Sequence, residues 1–304
     1  MEGVHMLTSR ISSTLAVALG TALLAPHTRA GAGDDPFADT LVDFNLGSGG
    51  TMGFDNPLTV LGSPERFTGE GIFPSVVSPF SPPFGTDEIV SIGSGGWITV
   101  GFETPIADDP ANPYGIDLLI FGNTGFIDSN WPNGIVGGVF SDDGGVVEIS
   151  ADGQIWHTVS GATADGLFPT LGWLDSGPYD DFPGSIPSDF TLPVDPSLTL
   201  DDFMGLTHAE VVGLYAGSGG GAGVDIAATG LFEISFVRIS AGGAAKFEID
   251  AFADVAPVPA PGTLALIAVS ALAAARSRRK RASEPSLSGG GRGQGEGDCE
   301  DACE

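Results

Sequence analysis

Gly145-Val-Val-Glu-Ile-Ser-Ala-Asp-Gly-Gln-Ile-Trp-His-Thr-Val159 sets two apolar-rich runs on either side of Asp152-Gly153. Alternating runs joined by Asp-Gly read as a β-hairpin, because the turn needs backbone angles that Asp and Gly adopt readily. The same signal recurs outward in both directions. Gly96-Trp-Ile-Thr-Val-Gly-Phe102 puts Ile98, Val100 and Phe102 on one face. Residues 41–46, 89–92, 116–121, 211–216, 231–239 and 246–255 complete a set of about nine strands. No amphipathic helical pattern interrupts residues 34–254, so the expectation is a helix-free, all-β domain. Antiparallel strands without helices must cover one sheet with another, which gives an antiparallel β-sandwich or jelly roll over residues 33–256. A span of about 220 residues suffices for one sizeable core. It contains no cysteine, so that core has no disulfide support.

Two stretches interrupt the strand spacing. Residues 62–84 are rich in Pro, Ser and Phe, and residues 161–202 carry many Pro and Asp with Trp173, Tyr179 and Phe182. Connections of this length are either functional or packed as part of the fold. No fixed period runs through the chain, which argues against a solenoid or propeller.

Charge divides the chain. Residues 34–254 hold 32 Asp and Glu against Arg66, Arg238 and Lys246, so 3 − 32 = −29. An acidic surface of this size repels phosphate backbones and argues against nucleic-acid partners. It favours divalent cations and cationic polymers instead.

The remaining positive charge lies at the ends. Arg10, an apolar run over residues 15–25, and small-residue cleavage sites at Thr28-Arg-Ala30 and Ala30-Gly-Ala32 read as a signal peptide over residues 1–32, with Met6 as an alternative start. Near the other end Val258-Pro-Ala-Pro-Gly262 breaks the chain. The apolar run 263–275 follows, and Arg276, Arg278, Arg279, Lys280 and Arg281 stop it. Thirteen residues of helix reach about 20 Å against roughly 30 Å of hydrocarbon. The Arg cluster matches the cytoplasmic excess of positive charge, and its long side chains snorkel to extend the span. The expectation is a short C-terminal transmembrane helix within residues 257–281, ahead of a disordered Gly- and Glu-rich tail at 282–304. Cys299 and Cys303 in that tail form too small a set to specify a metal site.

The order Pro259-Ala260-Pro261-Gly262, short apolar helix, Arg cluster resembles a PEP-CTERM sorting signal. The resemblance implies export, handover to an exosortase-like protease in the inner membrane, and cleavage near the proline motif. Ala260 stands where the family has Glu, and the tail after Ala282 is longer than the family's. A second resemblance spans roughly residues 88–255. Gly95-Gly-Trp-Ile-Thr-Val-Gly-Phe102, Gly115-Ile-Asp-Leu-Leu-Ile-Phe-Gly-Asn123, Val147-Glu-Ile-Ser-Ala-Asp-Gly-Gln-Ile-Trp156, Val224-Asp-Ile-Ala-Ala-Thr-Gly-Leu231 and Phe247-Glu-Ile-Asp-Ala-Phe252 follow one another in the order of a secreted bacterial surface domain with a galactose-binding-like jelly roll. That likeness implies a binding or structural module and names no catalyst.

Site chemistry is sparse. His157 and His208 are the only histidines of the span 34–254, and no Gly-x-Ser-x-Gly elbow, His-Glu-x-x-His or phosphate loop occurs. The expectation is a protein that is not an enzyme, although paired carboxylates for glycosidase work would be invisible at this level. Structural calcium is the best chemical candidate, since Asp117, Asp225 and Asp250 sit at half-buried strand or loop positions where a carboxylate needs a partner. Trp131, Trp173 and Tyr179 are the aromatic residues placed in loops to meet a ligand. The whole reads as an exported, membrane- or matrix-associated structural or adhesive surface protein, with carbohydrate binding to extracellular polysaccharide as the alternative.

Overall fold

Ile98 and Val100 are fully buried, and the strand that carries them organises the larger of two sheets. The computed structural model describes residues 35–68, 73–140, 143–242 and 246–256. The larger sheet contains β1 (Thr40–Asn45), β3 (Trp97–Ala107), β7 (Val146–Ser150), β8 (His157–Thr163) and β10 (Glu233–Ser240), in the order β1-β3-β10-β7-β8. The smaller contains β2 (Val90–Ile92), β4 (Leu118–Gly122), β9 (Ala222–Val224) and β11 (Phe247–Asp254), in the order β2-β11-β4-β9. Every pairing in both sheets is antiparallel.

Register explains the core. Val237 of β10 lies between Val100 and Ile149, and Ile239 lies between Ile98 and Val147. These two rows face Leu118, Ile120, Phe247, Ile249 and Phe252 from the smaller sheet, and all belong to one buried cluster. Period-two alternation in two sheets thus meets face to face, as in a sandwich. The expected hairpin forms, although its second strand runs over His157–Thr163 and leaves Ile155 exposed in the connection. Asp152 Oδ1 accepts the N–H groups of Gln154 and Ile155 at 2.8 Å each, and Gly153 takes φ +69°.

The smaller sheet departs from one-sided burial. All five residues of β4 are buried. Leu118 and Ile120 point into the sandwich, whereas Leu119 and Phe121 point outward with Ala251, Ala253 and Val255. Phe190, from the stretch 161–202, covers this outer face, its ring edge-on to Phe121 at 5.3 Å. The continuous run Leu118-Leu-Ile-Phe121 is the sequence mark of a strand buried on both sides.

That cover is a third layer built from both expected insertions and a small β-hairpin, β5 (Phe126–Asp128) with β6 (Val136–Phe140). It has its own apolar core of Phe80, Phe126, Leu171, Phe203, Val211 and Tyr215, among others. Arg66 fastens the two insertions together. Its guanidinium lies 3.8 Å from the Phe190 ring centroid and donates to Ser188 Oγ and the Ser188 carbonyl, both at 2.9 Å.

Two expectations fail here. Residues 211–216 are not a strand, and the domain is not helix-free: α1 (Leu200–Phe203) and α2 (His208–Tyr215) lie in the third layer. Thr207-His-Ala-Glu210 is a capping box, with the Glu210 carboxylate accepting from Thr207 N–H at 2.9 Å and Thr207 Oγ1 at 2.8 Å. Thr199 and Asp202 repeat the arrangement ahead of α1. The expected signal peptide, the expected sorting motif, the apolar run 263–275 and the tail lie outside the described residues. Among the described residues no helix is long and apolar enough to cross a membrane.

Arg66→Ala leaves the Ser188 acceptors buried without their donor. The expected cost is about 2–3 kcal/mol, read as a lower Tm in thermal melts. An unchanged Tm would show that the two insertions do not depend on this joint.

Candidate functional site

The sequence nominates three carboxylates for a cation, and the structure brings two of them together. Asp117, at the start of β4, Asp225, ahead of a 3-10 turn (Ile226–Thr229), and Asp108, just past β3, place one carboxylate oxygen each within 4.8 Å of one another. Asp117 is fully buried, and the other two are half-buried. Its Oδ1 accepts from Asp109 N–H at 3.1 Å and Asn112 Nδ2 at 2.8 Å, and its Oδ2 from Ile226 N–H at 3.0 Å. Asp117 therefore ties three chain segments at one end of the smaller sheet. Burial pushes its pKa up, the three donors pull it down, and Asp108 pushes it up further, with a net rise. An all-oxygen set of three acids matches a hard divalent cation in donor type and sign, so this cluster can hold a metal ion.

Asp250 is not part of it. β11 runs antiparallel to β4 with Asp254 opposite Leu118 and Ile249 opposite Gly122, so Asp250 lies at the far end of β4 from Asp117, where its Oδ2 accepts from Glu65 N–H at 3.0 Å. It is nearly wholly buried, and desolvation followed by the charges of Glu65 and Glu88 lifts its pKa well above the ordinary carboxylate value. Sequence reasoning missed Asp108, whose signal was its place at a strand end nine residues before Asp117.

The aromatic candidates also separate. Trp173 is half-buried at the Arg66 joint, 6.0 Å from the guanidinium, and its indole N–H is buried without an acceptor. Trp131 is 66% exposed in the β5–β6 turn. Tyr179 reaches it from the 161–202 stretch, with ring centroids 6.3 Å apart. The turn is held from beneath. Asp128 accepts from the N–H groups of Asn130, Gly134 and Ile135 at 2.8–2.9 Å and from Tyr179 Oη at 3.2 Å. Burial is the largest single influence on the Asp128 pKa and raises it, but these four donors together outweigh it and the net shift is downward. Tyr179 is pushed well up by burial and by Asp128.

Behind the turn, aromatic contacts continue inward from Tyr179 to Phe80 at 6.4 Å and from Phe80 to Phe126 at 6.1 Å. His208 packs against Phe80 at 6.0 Å, with Nε2 buried and unpaired. His157 lies half-buried on β8, beside Trp156, whose ring carries the Arg238 guanidinium at 4.1 Å.

No protein-family model matches this chain, and no curated protein matches it.

Burial lowers the His208 pKa to about 4 from 6.5, against an opposing pull from Asp180. The depressed folded value means the unfolded chain binds the proton more readily, so stability is full above pH 6.5 and is lost as pH falls from 6.5 to about 4. The loss amounts to roughly 3 kcal/mol. Thermal melts at pH 7.5 and 5 should show a smaller drop for His208→Leu than for the wild type. Equal drops would assign the acid sensitivity to other groups.

Proposed function

We propose that this chain is an exported, surface-retained, non-catalytic binding protein, in which a structural or adhesive β-sandwich of jelly-roll type is sorted by an exosortase-like system. The observation that carries this reading is the third layer. It spends two insertions on a rigid cover for the sandwich and presents Trp131 at its rim. The acidic side chains there serve the layer itself: Asp128, Asp175, Asp195, Asp202 and Glu210 each accept N–H groups from nearby residues. His208 is neutral and enclosed, which suits packing better than proton transfer. The ends supply the address. Residues 1–32 direct export, and Pro259-Ala-Pro-Gly262 with the run 263–275 and the Arg cluster tether the chain to the inner membrane before an exosortase-like protease acts.

Fractionation tests the address directly. The full chain should partition with membrane or surface material, and a chain ending at Val258 should appear in the soluble fraction. Equal partition of both would remove the tether.

Calcium is the cation assigned to Asp108, Asp117 and Asp225 in this reading. Extracellular calcium sites have Kd values of about 0.1–1 mM, so about 10 mM calcium would add roughly 1.4–2.7 kcal/mol. The expected result is a higher Tm with millimolar calcium than with sodium at matched ionic strength. Asp225→Asn should abolish the difference and Glu103→Gln should leave it. Equal protection by sodium would reduce the effect to general screening of a −29 surface.

A further inference from the structure

Trp131 offers aromatic surface to solvent from a turn tied down by hydrogen bonds to Asp128. The turn Ser129-Asn-Trp-Pro-Asn133 is exposed throughout, yet Asp128 before it accepts the N–H of Asn130 inside the turn, those of Gly134 and Ile135 just after it, and the Tyr179 hydroxyl. Its conformation is set before any ligand arrives, so binding there costs little ordering entropy. Ser129, Asn130 and Asn133, exposed neighbours of Trp131 in the same turn, add neutral donors and acceptors. A flat apolar surface in a turn that also carries amides and a hydroxyl matches a pyranose ring, which has a C–H face and a hydroxyl rim.

Charge narrows the class. Asp128 and the exposed Asp180 and Asp181 stand near Tyr179, and the surrounding domain carries −29 with both of its arginines engaged elsewhere. Uronate or sulfated chains would meet like charge with no compensating cation. The same field opposes docking on an anionic bilayer, where an interfacial Trp is usually accompanied by Lys and Arg.

We propose that Trp131, flanked by Tyr179 and by Asn130 and Asn133, is a stacking platform for a neutral or amine-bearing pyranose polysaccharide. This rests on the reading of the chain as a surface binding module, and it names the ligand class of that module. The aromatic contacts running from Tyr179 through Phe80 to Phe126 anchor the platform in the third layer.

The test uses the full chain in detergent and calorimetric titration with soluble β-linked hexamers of glucose, N-acetylglucosamine, glucosamine and a uronate. At least one of the first three should bind, and the uronate should not. Trp131→Ala should weaken binding by about tenfold or more, Trp131→Phe should restore part of it, and Phe232→Ala, which removes another exposed ring, should change nothing. Absence of binding to the first three hexamers, equal affinity of Trp131→Ala, or uronate binding as tight as the others would overturn the proposal. Trp131-dependent partition onto phosphatidylcholine vesicles with no saccharide binding would replace it with a membrane contact. Failure here with the fractionation result intact would leave the surface-retained reading standing. Failure of fractionation with saccharide binding intact would do the reverse.

Discussion

The outer face of the smaller sheet is the constraint on which the rest depends. Leu119, Phe121, Ala251, Ala253 and Val255 are apolar on the side away from the sandwich, and a sheet exposing them would present a greasy surface to water. Covering that face requires a third layer. The layer requires residues that arrive from two distant parts of the chain, and Arg66, Phe190 and Ser188 hold those parts together. The β5–β6 turn, and hence the exposure of Trp131, follows from the layer having a rim.

The acidity of the domain takes on a different meaning once its hydrogen bonds are traced. Asp128, Asp152, Asp175, Asp195, Asp202 and Glu210 accept backbone N–H groups from within about one turn or loop of their own position. With few helices and many connections, the chain fixes its loops by side-chain capping. Much of the negative charge is thus a by-product of loop construction, and Asp108, Asp117 and Asp225 stand apart because they converge from separate elements.

The sandwich was legible because its strands keep strict alternation over long runs. Ile98 and Val100, and Val237 and Ile239, could face nowhere but inward, and Asp152-Gly153 fixed the hairpin. The third layer was legible only as two odd insertions. Residues 211–216 are apolar enough for a strand, and the Thr207–Glu210 capping box that overrules this lies just upstream. Strands β6 and β9 are short and glycine-containing, which hides their pattern. At the candidate cation cluster the strand positions of Asp117 and Asp225 were readable, but the register that sets Asp254, not Asp250, beside the start of β4 is something single-sequence periodicity does not carry.

The scarcity of basic residues has a consequence for survival among proteases. Between residues 34 and 254 a protease that cuts after Lys or Arg finds three positions, Arg66, Arg238 and Lys246. Arg66 is wedged against Phe190, Arg238 is paired with both Glu148 oxygens at 2.8 Å, and Lys246 leans on Thr51 and Glu248. To be cut, these side chains must leave their partners and enter an enzyme's specificity pocket. The same composition that denies the domain disulfides and cationic surface makes it a poor meal for trypsin-like enzymes.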